Sequence, residues 1–126
     1  MNINPVGWFE IYVQDMDRAK RFYEAVFQVK LERLNSPAEM PIELWSFPMA
    51  EDQMGASGAL VKMEDGPSGG NTVLVYFTCA DCAVEAARAT PSGGKLIREK
   101  ISIGQYGFIA LIADTEGNML SLHSMQ

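Results

Sequence analysis

The fifteen residues from Val13 to Phe27, VQDMDRAKRFYEAVF, decide how the rest of the chain is read. Met16, Ala19, Phe22, Tyr23, Val26 and Phe27 recur at spacings of three and four, the apolar stripe of one α-helix. Asp15 or Asp17 can cap its start, because a short carboxylate accepts a hydrogen bond from an unpaired N–H of the first turn. Upstream the period changes to two. Phe9, Ile11 and Val13 form one apolar face, and Trp8, Glu10 and Tyr12 form the other, larger and mixed in polarity. That is a strand whose two faces meet different surroundings. Downstream, Val29 to Leu34 reads as a short strand broken by Asn35, Ser36 and Pro37. Ile42 to Met49 reads as another, with Pro41 and Pro48 at its ends, where a missing N–H is tolerated. Ala50 to Gly58 is a polar connection, and Ala59 to Met63 a fourth strand.

Glu64 to Asn71, EDGPSGGN, has the composition of a linker. Beyond it the pattern repeats. Thr72 to Phe77 is a strand, Asp81 opens an Ala-rich helix to about Thr90, and Pro91 to Gly94 ends it. Lys95 to Arg98, Tyr106 to Ala113 and Met119 to Ser124 are strands, with DTEGN (Asp114 to Asn118) a tight turn before the last. A shift of 66 residues carries Asp15 onto Asp81, Val13 onto Cys79 and Leu31 onto Ile97 without a gap. Few residues are identical, so the repeat is one of pattern. The expected fold is α+β, two tandem βαβββ modules (about 6–63 and 72–126) in a single domain spanning 1–126. Each module is too small to bury its sheet alone. Side by side, the two make a curved, mixed eight-stranded sheet with helices outside.

Composition narrows the function. The chain has 126 residues, a net charge of −6 and a single histidine, His123. One imidazole excludes any site built from several histidines within one chain. The acidity argues against nucleic acid, whose affinity comes mainly from Lys and Arg. No apolar run reaches the roughly 18 residues that span a bilayer, so no membrane partner is expected. Met1 to Val6 lacks the basic start and apolar run of a signal peptide. The expectation is a cytoplasmic protein with both cysteines reduced.

With these landmarks in place, VQDMDRAKRFYEAVF resembles the first helix of the vicinal oxygen chelate superfamily, the group of glyoxalase I, bleomycin-resistance proteins and extradiol dioxygenases. GGKL (Gly93 to Leu96) and DTEGN resemble its second-half signatures, and the likeness runs from about Val6 to Ser124. The resemblance implies a ligand cavity in each cup of sheet and a homodimer. In the family's metalloenzymes it also implies a divalent ion held by His and Glu side chains on four strands. Those ligand positions fall here on Trp8, on Gly58 or Ala59, on Leu74 and on Ser121. This is not a divalent-metal ligand set, since such ions take imidazole or carboxylate donors. No metal and no cofactor are therefore expected.

Strand parity says what lines the cavity instead. Trp8, Glu10 and Tyr12 share a face, as do Leu74, Tyr76 and Thr78, and Met119, Ser121 and His123. Trp45 is added as an aromatic ligand contact, and Gln105 and Tyr106 as residues of a Gly104–Gly107 segment at the rim, either a closing loop or an ordinary turn. The expected partner is an aromatic or amphipathic small molecule. Glu10 and His123 are the two titratable groups, a candidate base and its partner. Three functions follow: metal-independent small-molecule binding, a lyase or isomerase using Glu10 and His123 with or without an atypical metal, and sequestration of a drug. Cys79-Ala80-Asp81-Cys82 sits at a strand-to-helix junction, where parity makes both thiols structural. Gln28 stands where the resemblance expects glycine.

Overall fold

In a computed structural model the described residues are 4–37, 40–69 and 72–126. Eight strands and two helices follow one another as β1 (Val6–Tyr12), α1 (Met16–Phe27), β2 (Glu32–Leu34), β3 (Ile42–Ser46), β4 (Ser57–Met63), β5 (Val73–Thr78), α2 (Cys82–Ala89), β6 (Lys95–Ser102), β7 (Phe108–Ala113) and β8 (Met119–Ser124). This is βαβββ twice over. The strands make one mixed sheet in the order β2-β3-β4-β1-β5-β8-β7-β6, so each half runs through its own strands in the same sequence. No helix among the described residues is long and apolar enough to cross a membrane.

The chain divides into two compact units, Trp8–Val73, and Leu74–Gln126 together with the N-terminal residues through Gly7. The boundary falls inside β1, between Gly7 and Trp8. In the first unit β1 runs parallel to β4, while β3 is antiparallel to both β4 and β2. In the second, β5 runs parallel to β8, and β7 is antiparallel to β8 and β6. Within that unit the Thr78 amide donates to the Pro5 carbonyl at 2.9 Å, which is where the N-terminal residues attach.

Both helices begin as the sequence indicates. Asp15 accepts from the Arg18 amide and Asp81 from the Ala83 amide, each at 3.0 Å. They end differently. Gly94 donates its amide to the Ala89 carbonyl beside Gly93 at φ 97°, whereas α1 ends on Gln28 in the left-handed region at φ 53°. Under α1, Met16, Leu31 and Leu60 form a buried core with Ile11, Val13, Ala19, Tyr23, Trp45 and Phe47. Under α2, Cys82, Ala86, Ala110 and Leu122 do the same with Phe77, Cys79, Phe108, Ile112 and Leu120. The α1 stripe is wider than the surface it covers: Phe22, Val26 and Phe27 stay 58, 55 and 61% exposed.

Several boundaries differ from the sequence reading. β2 starts at Glu32, because the Val29 and Leu31 amides are spent on the Glu24 carbonyl and side chain, closing the turn after α1. β3 stops at Ser46, ahead of Pro48. β6 runs on to Ser102, four residues past the expected end, because its register shifts twice against β7, between Leu96 and Arg98 and between Arg98 and Ile101. Each shift inserts a residue that breaks the two-residue alternation from which a strand is recognised. Tyr106 belongs to a 3-10 turn, Gly104–Tyr106, rather than to β7.

Candidate functional site

The first unit carries a face built on β1. Alternation puts Trp8, Glu10 and Tyr12 on one side of the strand, opposite Ser57, Ala59 and Val61 of β4. Their surroundings are apolar: buried Leu44, Ala59 and Val61 pack with Trp8, Tyr12, Leu34 and Ile42. Glu10 sits among them at 9% exposure. A carboxylate so placed needs donors in place of water. It has them on its own strand: the Trp8 indole N–H donates to Oε2 at 3.2 Å, and the Tyr12 hydroxyl to Oε1 at 2.9 Å. One acid is thus oriented by two aromatic rings, each two residues away. The register also settles which β4 residue shares this face. Ala59 pairs with Glu10, and Gly58 with Phe9.

Trp45 does not share this face. It pairs with Leu60, and both lie in the core under α1. Its ring lies beneath the Lys20 ammonium, 3.3 Å from the ring centroid, and its indole N–H donates to Glu43 at 2.8 Å. The cation over the ring and the acid at its edge match the ring's own charge distribution, so the trio is a clamp between β3 and α1. Sequence alone could not show this, because the side a β3 residue takes depends on its register with β4.

The second unit carries the corresponding face on β5 and β8. Tyr76 pairs with Ser121 and Thr78 with His123, while Leu111 and Ile109 of β7 pair with the same two β8 residues. Tyr76 is half-buried. Leu74 is 7% exposed, and Ser121 is fully buried with its hydroxyl donating to the Ala110 carbonyl at 3.2 Å. His123 is half-buried, and its Nε2 is hydrogen-bonded to the Tyr106 carbonyl. Gln105 is exposed in the 3-10 turn, which Gly107 closes by donating to the Gly104 carbonyl at 3.1 Å. Glu10 and His123 fall in different units.

The family's metal positions can be tested against these side chains. Trp8 offers only an N–H, which it gives to Glu10; Ala59 and Leu74 have no donor atom; the Ser121 hydroxyl is buried on a carbonyl. None of the four is an imidazole or a carboxylate, the donors such an ion takes, and no group of three or more His, Cys, Asp or Glu that could hold a metal ion occurs among the described residues. The CxxC thiols are equally unsuited to chemistry. Cys82 is fully buried, and Cys79 is pushed up to about 11, first by burial and then by the Glu85 carboxylate beside it. A thiol held that high carries almost no thiolate near neutral pH.

Outside both faces, two surface clefts flank the cross-strand pair Glu43 and Lys62. One, of about 450 Å³, is lined by Gln14, Asp15, Met16 and Asp17 at the start of α1. The other, of about 380 Å³, is lined by Ser36, Met40, Pro41, Ile42 and Glu64. Neither contains a residue that the sequence offered as a ligand contact. Glu43 and Lys62 carry no motif and become neighbours only through the pairing of β3 with β4.

The profile of one protein family, described as the Glyoxalase/Bleomycin resistance protein/Dioxygenase superfamily, matches residues 5–122. A search of curated proteins returned no match. Among solved structures, methylmalonyl-CoA epimerase from Streptomyces coelicolor (an S115T variant in complex with 2-nitronate-propionyl-CoA) is similar at 19% identity and a TM-score of 0.70, over 98% of this chain and 95% of that one. Methylmalonyl-CoA epimerase from Mycobacterium tuberculosis is similar at 17% identity and a TM-score of 0.70, over 97% and 88%. A hypothetical protein from Bacillus halodurans C-125 reaches a TM-score of 0.73 at 12% identity, over 96% and 94%. Likeness at such identities establishes a shared fold.

Proposed function

Because the chain belongs to the glyoxalase/bleomycin resistance protein/dioxygenase superfamily, and the four positions that the resemblance assigns to a metal carry no imidazole or carboxylate, we propose that it binds a small organic ligand on the Trp8–Glu10–Tyr12 face without a metal ion. The observation that carries this reading is Glu10, a carboxylate in apolar surroundings whose two oxygens accept from the Trp8 indole and the Tyr12 hydroxyl. A carboxylate accepts several hydrogen bonds at once, so Glu10 is the group on this face suited to orient an N–H or O–H of a ligand. The aromatic rings supply contact area at low entropy cost, and the acid sets orientation. The ligand class is an aromatic or amphipathic molecule with a hydrogen-bond-donating or cationic head group.

The Streptomyces coelicolor epimerase of similar fold is in complex with 2-nitronate-propionyl-CoA, which puts acyl-CoA thioesters beside aromatic amines and cationic glycopeptides in a screening panel. Melting-temperature shifts identify a hit. Trp45→Phe leaves Trp8 as the only tryptophan, so its fluorescence titration reports binding at the face directly. The expected result is a hit that quenches Trp8 and binds roughly tenfold or more weakly to Trp8→Ala and to Glu10→Gln, the loss typical of a buried contact. A hit whose affinity neither substitution alters would refute the reading. Turnover of a hit that Glu10→Gln abolishes would extend it to an isomerase or lyase, and tight binding of a glycopeptide without turnover would point to sequestration.

A further inference from the structure

His123, the only histidine in the chain, uses one ring nitrogen in a way that fixes its chemistry. Its Nε2 is hydrogen-bonded to the main-chain carbonyl of Tyr106. A carbonyl oxygen can only accept, so Nε2 carries the hydrogen. The neutral ring is then the Nε2–H tautomer, and its lone pair sits on Nδ1.

The acceptor lies in a segment that is already tightly specified. The Ile103 amide donates to the Gly107 carbonyl at 2.8 Å, the Gly107 amide to the Gly104 carbonyl at 3.1 Å, and the Gly104 amide to the Ser102 hydroxyl at 3.2 Å. Gly104 and Gly107 hold φ of 71° and 99°, which glycine adopts without strain. At Gly107 a Cβ would stand 2.4 Å from the Ser124 carbonyl and 3.3 Å from His123 Nε2, so the turn is pressed against β8 where the imidazole emerges. β8 is itself anchored there: the Cys79 amide donates to the His123 carbonyl at 2.8 Å. The bond to Tyr106 therefore ties a turn to a strand held firmly on its other side.

We propose that His123 is a positioning residue that latches the Gly104–Gly107 turn through its Nε2–H, fixing the backbone that carries Gln105 and Tyr106, and that Nδ1 is its only nitrogen open to proton transfer. The proposal goes beyond the ligand-binding reading and does not depend on it.

A single histidine makes the test direct. In ¹⁵N-labelled wild-type protein, the long-range ¹H–¹⁵N correlation of the one imidazole, recorded with the ring neutral, is expected to show the Nε2–H pattern. The Nδ1–H pattern, or an averaged mixture of both tautomers, overturns the proposal, and this measurement needs no variant. Amide hydrogen exchange then tests the latch. In His123→Leu, Ile103 and Gly107 are expected to exchange roughly five to ten times faster, the factor carried by one ordinary hydrogen bond, with β7 and β8 unchanged. His123→Gln, whose Nε2 can donate from a similar place, restores slow exchange. Unchanged exchange in His123→Leu, or equally fast exchange in both variants, overturns it.

Discussion

Gln28 shows how much one residue's backbone can matter. It ends α1 at φ 53°, ψ 47°, a conformation costing an L-residue roughly 1–2 kcal/mol that glycine adopts freely. Its side chain recovers part of that by donating to the Ala25 carbonyl at 2.6 Å, an exposed bond of small net value. Gln28→Gly should therefore stabilise the protein by about 0.5–1 kcal/mol, less than the full strain because glycine is freer in the unfolded chain. Urea denaturation checks this: the midpoint rises and the slope stays fixed. The departure from glycine was visible in the sequence, whereas the left-handed conformation that gives it a cost needed the structure. The same divide separates Trp8 from Trp45. Trp8 lies in a strand whose alternation is anchored by the helix that follows, so its face followed from parity. Trp45 lies in β3, between two loops, and only its pairing with Leu60 decides its side.

At the scale of elements, three carboxylates hold the joints. Asp15 and Asp81 cap the helices, and Asp114 ties the β7–β8 turn by accepting from the Glu116 and Asn118 amides and the Asn118 side chain at 2.8 to 3.0 Å. Each is held below the ordinary value of 3.8. The Arg18 amide does most at Asp15, the Lys100 ammonium at Asp81 and the Asn118 side chain at Asp114. Since the native state favours the charged form, these groups contribute stability above the unfolded value, and it drains away as pH falls through the folded one. Thermal stability should decline below about pH 4, and the decline should be shallower in Asp114→Asn, which no longer titrates there. An acid limb of equal steepness in that variant would remove Asp114 from the account. Each of these residues was legible, because a short acidic side chain before a helix or in an Asp-x-x-Gly-Asn turn has a specific bonding job. β6 was not. Its two bulges defeat the alternation test, and their use is at the edge of the sheet, where bulges and the charges of Lys95, Arg98 and Glu99 discourage pairing with another chain.

Across the whole molecule, the repeat at 66 residues was the most reliable thing the sequence carried, because it tested one pattern twice. The caps Asp15 and Asp81 stand at the shifted positions, and β1 and β5 begin within a residue of them. The resemblance names four metal positions, and the repeat relates two of them to each other. Trp8 and Leu74 occupy equivalent places on β1 and β5 (66 residues apart), and Ala59 and Ser121 lie on β4 and β8, the strands that run parallel to them. None presents a carboxylate or an imidazole. Glu10, two residues along from Trp8, is engaged by two aromatic donors. If an ion were nevertheless bound to the native state at a hundred times its dissociation constant, it would add about 2.7 kcal/mol. In a domain of this size that corresponds to a melting-temperature rise of roughly 5 °C or more. Exhaustive dialysis against a chelator should instead leave the melting temperature unchanged within about 1 °C, and elemental analysis of the undialysed protein should find far less than one divalent ion per chain. A chelator-induced drop of several degrees, reversed by adding back one ion and abolished in Glu10→Gln, would show that this scaffold holds metal through Glu10 and would overturn the metal-independent reading.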